Sequence, residues 1–290
     1  MILRQSLKTA LAAKDLLHIM ATHSPLSARL AEETGFDGLW ASGFELSALY
    51  GLADVSLISM TQHLDMLRCI AGQTSLPIIA DIDTGFGNAV NVVYAVREYE
   101  RAGAAAVVIE DKTFPKVTSL VADGRQELLR VEEFQGKIEA ATAARASPEF
   151  LIIGRTEALI AGLSEREALM RAHAYQEAGA DLILVHSKSK TPDEIESFVR
   201  AWSGSAPLVI VPTSYPDLGA ERIRALGKIR MVIYGNHAIR ASVAAMRTVF
   251  AQIREEQGAL AASRSIASVE EVFRLQKMSD IKAQEKRFLR

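Results

Sequence analysis

Residues 99–111, YERAGAAAVVIED, and residues 175–186, YQEAGADLILVH, share one grammar. A polar-apolar periodic segment ends in a glycine, and a short run that is apolar on both faces follows at once. Glycine supplies the left-handed end of a helix, and a brief apolar run without alternation marks a parallel strand buried on both sides. Residues 31–40, AEETGFDGLW, repeat the pattern. These stretches read as helix-to-strand joints. Adding the other apolar runs bounded by turn signals gives strands at 16–21, 38–42, 77–83, 106–111, 150–158, 181–187, 207–213 and 231–236. Helix-start spacings fall between them: Ser59 with Gln62, Ser164 with Glu167, and Thr191-Pro192 with Glu194. Eight alternating units in about 245 residues indicate an α/β fold of the (β/α)8 TIM barrel type, since an open doubly wound sheet has fewer strands.

The remaining stretch, 246–290, is helical in pattern and exceeds what closing the barrel requires. It reads as a C-terminal helical extension that packs on this subunit or a neighbour. No linker or low-complexity tract marks a second domain, so residues 1–290 read as a single catalytic barrel domain.

The net charge of −2 offers no general attraction to nucleic acid or acidic membranes, which leaves small molecules as partners. One cysteine, Cys69, excludes an internal disulfide and a cysteine-rich metal site, and fits the cytoplasm. No stretch approaches the roughly 18 unbroken apolar residues of a membrane span. Arg4, Lys8, Lys14 and Asp15 interrupt the N-terminal segment, so it lacks the apolar core of a secretory signal. An organelle presequence is the alternative there.

Chemistry in a barrel collects at the C-terminal ends of its strands. Those ends carry Trp40-Ala41-Ser42-Gly43, Asp81-Ile82-Asp83, Glu110-Asp111-Lys112, Arg155-Thr156-Glu157, His186-Ser187 and Asn236-His237. Asp81, Asp83 and Glu110 lie on adjacent strands, and carboxylates crowded at one mouth repel one another unless a cation offsets them. Hard oxygen donors without a His or Cys set favour Mg²⁺ or Mn²⁺ over zinc. Because Mg²⁺ retains water, Asp81 is the expected direct ligand, with Asp83, Glu110 and Asp54 acting through water; an ordinary turn role is the other reading of Asp54. Arg155 emerges from an apolar run, where a guanidinium needs an anion. With His186, Ser42 and the Gly43 backbone it would form an anion pocket, whereas a structural ion pair with Glu157 and a satisfied core histidine are the bland readings. Gly85 to Asn88 reads as a tight turn into a helix. Residues 111–130 lack any clear period and far exceed the usual βα loop of about two to six residues. They read as a lid that carries Lys112, Lys116, Thr118 and Ser119, or else as a solvated basic loop.

DIDTGFGN at 81–88, EDKTFPK at 110–116, RTEALIAG at 155–162 and YGNHAIR at 234–240 resemble the phosphoenolpyruvate mutase branch of the isocitrate lyase superfamily over nearly the whole chain. The larger lyases of that superfamily carry a catalytic cysteine in a Lys-Lys-Cys-Gly-His segment on this loop. Here it is replaced by Lys112-Thr-Phe-Pro-Lys116, which argues against isocitrate or methylisocitrate cleavage. Mutases of the branch have asparagine two residues after the second lysine; Thr118 stands there instead, the pattern of the branch's phosphonopyruvate hydrolases. The resemblance therefore implies metal-dependent cleavage of phosphonopyruvate to pyruvate and phosphate. It assigns catalysis to Thr118, Lys116, Arg155 and His186, and substrate binding to Trp40, Ser42, Gly43, Phe44 and Ser119. Asp81, Asp83, Glu110 and Asp54 would hold Mg²⁺, with Mn²⁺ or Co²⁺ as substitutes. It further implies a homodimer or homotetramer with swapped C-terminal helices. A phosphoenolpyruvate mutase, a carbon-carbon lyase or decarboxylase of oxaloacetate-like acids, and a non-catalytic keto acid-binding barrel are the alternatives.

Overall fold

Strands form at all eight expected places. They are β1 Leu17–Thr22, β2 Gly38–Ala41, β3 Ile78–Asp81, β4 Ala106–Glu110, β5 Leu151–Thr156, β6 Leu182–Val185, β7 Leu208–Ile210 and β8 Ile229–Tyr234. Each pairs in parallel with its sequence neighbours, and β8 returns to β1 through Leu17 opposite Met231, which closes the barrel. The computed structural model describes residues 5–121 and 124–290; Arg4 at the N-terminus and Ala122 and Asp123 of the expected lid lie outside the described residues.

Side-chain alternation sorts each strand into two layers. Leu17, Ile19 and Ala21 of β1, Ile79 of β3, Val108 of β4, Ile153 of β5 and Leu184 of β6 belong to one buried cluster inside the barrel. Their neighbours in sequence, such as Ile78, Val107, Ile152 and Ile183, belong to a second cluster shared with the surrounding helices. Both layers are apolar, which is why the strands read as unbroken apolar runs.

The outer layer is supplied by α2 Pro25–Thr34, α4 Met60–Ala71, α5 Ala89–Ala102, α6 Val131–Ala144, α7 Glu165–Glu177, α8 Asp193–Ala201 and α9 Ala220–Leu226. Two short helices lie outside the sequence reading. One, α1 at Leu7–Ala13, adds Leu7 and Ala10 to the inner cluster, and Arg230 at the start of β8 donates to the Leu11, Lys14 and Asp15 carbonyls. The other, α3 at Gly43–Leu49, follows β2 and is capped by Ser42, whose side chain accepts from Glu45 N.

Ser59 and Gln62 form the reciprocal cap of α4, and Ser164 accepts from Glu167 N at the start of α7. The Thr191-Pro192-Glu194 spacing does not make a capping box. Pro192, which has no side-chain acceptor, takes the cap position, and the Thr191 hydroxyl donates to Asp193 instead.

Residues Met1–Ala238 and Ile239–Arg290 make two compact units. The second holds most of α10 (His237–Glu256), a 3-10 turn at Ala262–Arg264, α11 (Val269–Leu275) and α12 (Met278–Phe288). No helix among the described residues is long and apolar enough to cross a membrane.

The two-layer core sets a clear order of mutational cost. Leu184, wholly buried in the inner layer, should lose about 2–5 kcal/mol on Leu184→Ala, whereas Ser59→Ala, which removes one helix cap, should lose about 1 kcal/mol. Urea unfolding midpoints at fixed protein concentration check the ranking.

Candidate active site

The inner face of each strand continues past the apolar layer into the mouth of the barrel. Asp81 follows Ile79 by two residues, Glu110 follows Val108, Arg155 and then Glu157 follow Ile153, and His186 follows Leu184. Period-two alternation thus turns these side chains to the same end of the barrel axis. Above them opens a cavity of about 570 Å³, mouth included, lined by Trp40, Ser42, Phe44, Asp54, Asp81, Lys116, Thr118, Ser119, Arg155 and His186, and on the far side by Val211, Thr213 and Asn236.

One wall is acidic. Asp83 leaves β3 in the left-handed region, at φ 51°, a conformation that Asp tolerates better than most residues. A Cβ added to Gly43 would lie 3.1 Å from Asp83 Oδ1, 3.7 Å from Asp81 Oδ2 and 3.8 Å from Asp54 Oδ1, so three carboxylates converge where this residue has no side chain. Glu110 is buried beside them; neither of its oxygens has a hydrogen-bond partner, and its nearest cation is Arg155, with Nε at 3.4 Å from Oε2. Burial raises Asp81 above the usual carboxylate range, and it pushes Asp83 up to about 7, with Lys116 opposing and the neighbouring acids adding.

Lys116 supplies the positive charge. Its Nζ sits 2.7 Å from Asp83 Oδ1 and 3.0 Å from Asp54 Oδ1, and these acids hold its pKa well above the ordinary lysine value despite burial. Ser56 ties the arrangement together: its hydroxyl donates to Asp83 at 3.4 Å and accepts from Lys116 N at 3.2 Å.

This donor set fits a hard divalent cation. The convergence at Gly43 and the Glu110 oxygens that lack hydrogen-bond partners describe carboxylates gathered at one point, where a cation can be held. Among the described residues no three His, Cys, Asp or Glu side chains form a ready-made metal cluster, so a cation here would complete its shell with water, as Mg²⁺ does.

The opposite wall is organised by Glu157, a hub that the sequence pattern offered only as a partner for Arg155. Its carboxylate accepts from Arg155 Nε at 2.6 Å and Ser119 Oγ at 2.6 Å, and it lies 3.0 Å from both Lys112 Nζ and His186 Nδ1. Arg155 Nη2 is 2.8 Å from the same His186 nitrogen. That nitrogen serves one partner at a time: protonated it donates to Glu157, and unprotonated it accepts from Arg155. Burial lowers the His186 pKa, with Glu157 opposing, while it is the acids that raise Arg155.

The 111–130 segment contains no helix or strand among its described residues, only an isolated bridge between Lys112 and Leu128. Thr118 is half-buried and lines the cavity; its carbonyl accepts from the Gln126 side chain at 3.1 Å. Lys112 does not ride on the loop surface as the sequence suggests. It is buried at the loop's base, where it donates to Ser119 Oγ at 2.6 Å and to the Val117 carbonyl at 2.8 Å. Asp111 has the opposite parity to Glu110 and faces outward, accepting from Tyr175 at 2.6 Å, Arg171 at 3.2 Å and Glu157 N at 2.8 Å.

The expected site residues are not all in one space. Asp54 and Asp81 line the main cavity; Gly43 and Asp83 line a smaller one next to it, which Asp54 and Asp81 also wall. Asn236, read at the end of the eighth strand, lines the main cavity; Val211 and Thr213 were outside the sequence reading of the pocket, and the period-two rule carried on from Val209 of β7 would have found them.

The family described as phosphoenolpyruvate phosphomutase matches residues 7–254. The chain is 58% identical over 286 residues to a phosphonopyruvate hydrolase from Variovorax sp. (strain Pal2), covering 99% of each. It is 44% identical over 283 residues to a phosphoenolpyruvate phosphomutase from Tetrahymena pyriformis, covering 98% of this chain and 94% of that one. A solved phosphonopyruvate hydrolase in complex with oxalate and Mg²⁺ aligns with a TM-score of 0.93 at 56% identity, over 99% of both chains. With its barrel closed and its sequence matched along almost its full length, the chain belongs to the phosphoenolpyruvate phosphomutase family.

Proposed function

We propose that this chain is a phosphonopyruvate hydrolase that splits the phosphorus-carbon bond with water, giving pyruvate and phosphate. The carrying observation is Thr118: in a chain 58% identical to such an enzyme, it lines the same cavity as Asp81, Arg155 and His186. The cavity is acidic on one wall and basic on the other, which suits a substrate whose keto acid end seeks a cation and whose phosphonate end seeks guanidinium and imidazole.

Asp81, Asp83, Glu110 and Asp54 would hold a divalent cation, Mg²⁺ with Mn²⁺ or Co²⁺ as substitutes. When bound, it supplies Lewis acidity that stabilises an enolate. Trp40 packs against the planar keto acid, and Ser42, Gly43 and Phe44 border it. Arg155 and His186, held in place by Glu157, face the phosphonate, and Lys116 and Ser119 close over it from the loop. As the bond breaks, its electron pair goes to carbon and leaves the enolate of pyruvate, while phosphorus gains an oxygen from water; the proton that this water gives up balances the one the enolate carbon takes up to become pyruvate. The Thr118 hydroxyl addresses phosphorus, itself or through the water that it orients. Spreading the phosphoryl charge over Arg155, Lys116 and Ser119 suits a loose transition state.

The chain acts, in this reading, in the cytoplasm as a homodimer or homotetramer that exchanges C-terminal helices. The second compact unit supports this, because Phe250 and Phe288 are 65% and 63% exposed there, apolar surface that another copy would cover.

Phosphorus NMR of phosphonopyruvate with the protein and Mg²⁺ should show orthophosphate appearing. Phosphoenolpyruvate in its place would identify a mutase, and an unchanged spectrum would refute both. Thr118→Ala should abolish phosphate release and leave Mn²⁺ binding close to that of the parent, and near-normal turnover in that variant rules out the role given to the hydroxyl. Light scattering coupled to size exclusion should report two or four chains; a monomer at micromolar concentration contradicts helix exchange.

A further inference from the structure

The last rung between β4 and β5 is made by a side chain. Glu110 stands opposite Arg155, and Asp111 N donates to the Arg155 carbonyl at 3.1 Å. A parallel ladder carried one step further would bring Glu157 N onto the Asp111 carbonyl. That carbonyl is already taken: it accepts from Leu129 N at 2.8 Å, where the long loop returns to the barrel. Glu157 N donates instead to the Asp111 carboxylate, 2.8 Å from Oδ1. The direction in which Glu157 leaves β5 is therefore set by the Asp111 side chain.

That side chain is held from outside the barrel. Its Oδ2 accepts from the Tyr175 hydroxyl at 2.6 Å and from Arg171 Nη1 at 3.2 Å, both on α7. Arg171 Nη1 also donates to the Tyr175 hydroxyl at 3.1 Å, and its Nε donates to Glu167 at 2.9 Å. The Tyr175 ring meets Phe134 of α6 edge-on, with centroids 4.5 Å apart. Asp111, Tyr175 and Glu157 are wholly buried, and Arg171 nearly so. A carboxylate with a backbone N–H on one oxygen and two side-chain donors on the other has little freedom to turn. None of Asp111, Arg171 and Tyr175 lines the main cavity, so ligand contact does not account for them. Stability alone is a weak reason as well, because the attraction within a buried ion pair does little more than offset its desolvation.

We propose that Asp111 is a positioning residue for the basic wall: held by Arg171 and Tyr175, its carboxylate fixes the Glu157 backbone so that the Glu157 carboxylate meets Arg155, Lys112, Ser119 and His186 together. The inference rests on the reading that Arg155 and His186 face the phosphonate. Two carboxylates thus act in series, one outside the barrel that sets a backbone and one inside that sets a guanidinium and an imidazole. Misplacing such groups by about 1 Å costs up to about 100-fold in rate.

Steady-state kinetics of phosphonopyruvate cleavage and a ligand-free crystal structure of Asp111→Ala test this together. The substitution removes the acceptor for Glu157 N and touches nothing in the cavity. kcat/KM should fall about 10- to 100-fold, with KM raised, because a misdirected Arg155 also loses its hold on the phosphonate. A variant that is merely less stable loses active molecules, which lowers kcat and leaves KM at the parental value. In the crystal, the Glu157 carboxylate should be displaced and at least one of its bonds to Arg155, Lys112, Ser119 and His186 broken. A parental KM overturns the proposal, and so does a Glu157 carboxylate in its parental place. Absence of turnover in the parent fails the hydrolase reading instead, and the position of Glu157 in the variant then decides the inference by itself. Should Asp111→Ala not fold, Tyr175→Phe carries both measurements, since it removes one donor to Asp111 and keeps the Arg171 pair. A smaller rise in KM with Glu157 displaced supports the proposal, and parental values overturn it.

Discussion

Negative charge gathered at one point with too little water around it is the constraint on which the rest of this active-site architecture depends. Asp54, Asp81 and Asp83 converge on Gly43, and Glu110 lies buried beside them with both oxygens lacking hydrogen-bond partners. Taking such ions out of water costs several kcal/mol each unless opposite charge and hydrogen bonds compensate. Here the compensation comes from Lys116, placed between Asp83 and Asp54 by a loop with no regular structure of its own among the described residues. Loop position and the charge state of the acids are therefore linked. A divalent cation entering the cluster competes with this ammonium for Asp83 and Asp54, and a loop that lifts must leave the acids to water or to another cation.

The basic wall obeys the same rule with the signs reversed. Arg155, Lys112 and His186 meet at Glu157, whose pKa is held well below the ordinary carboxylate value by Arg155, Lys112 and His186 against the effect of burial. Arg155 joins the two walls, with Nε 2.6 Å from Glu157 and 3.4 Å from Glu110. The guanidinium is thereby fixed in direction before any ligand arrives, the preorganisation that electrostatic stabilisation of a transferring group requires. In the proposed function, the charge separation across the cavity would set the polarity of the ligand, with its keto acid end and cation toward the acids and its phosphonate toward Arg155 and His186.

Much of this was legible because a barrel converts sequence parity into position. Once Ile79, Val108, Ile153 and Leu184 are assigned to the inner face, the acids at 81 and 110, the Arg at 155 and the His at 186 follow two residues on. The eight strands were visible as apolar runs, with errors of a few residues at their ends; β8 begins at Ile229 and ends at Tyr234, so Asn236 and His237 lie beyond it. The seven-residue helices α1 and α3 were not visible, since fewer than two full turns leave little periodicity to read. The seating of Lys116 among acids far away in sequence was equally hidden, because it depends on how an irregular loop folds back, and neither period nor capping encodes that.

Parity also accounts for how the loop is anchored. Asp111 follows Glu110 directly, so when Glu110 turns into the barrel Asp111 must turn out, toward α7. There Arg171 Nη1 donates to Asp111 and to the Leu129 carbonyl, and Leu129 N donates to the Asp111 carbonyl, so one guanidinium clasps both stems of the loop. Between the stems, Lys112 and Ser119 bind Glu157 while Lys116 binds Asp83 and Asp54. The segment that carries Lys116, Thr118 and Ser119 thereby touches both charged walls at once. In the proposed function, a ligand and its cation would engage the same acids and the same basic groups that Lys116, Lys112 and Ser119 contact here, so binding would be coupled to where this segment sits without any contact remote from the site.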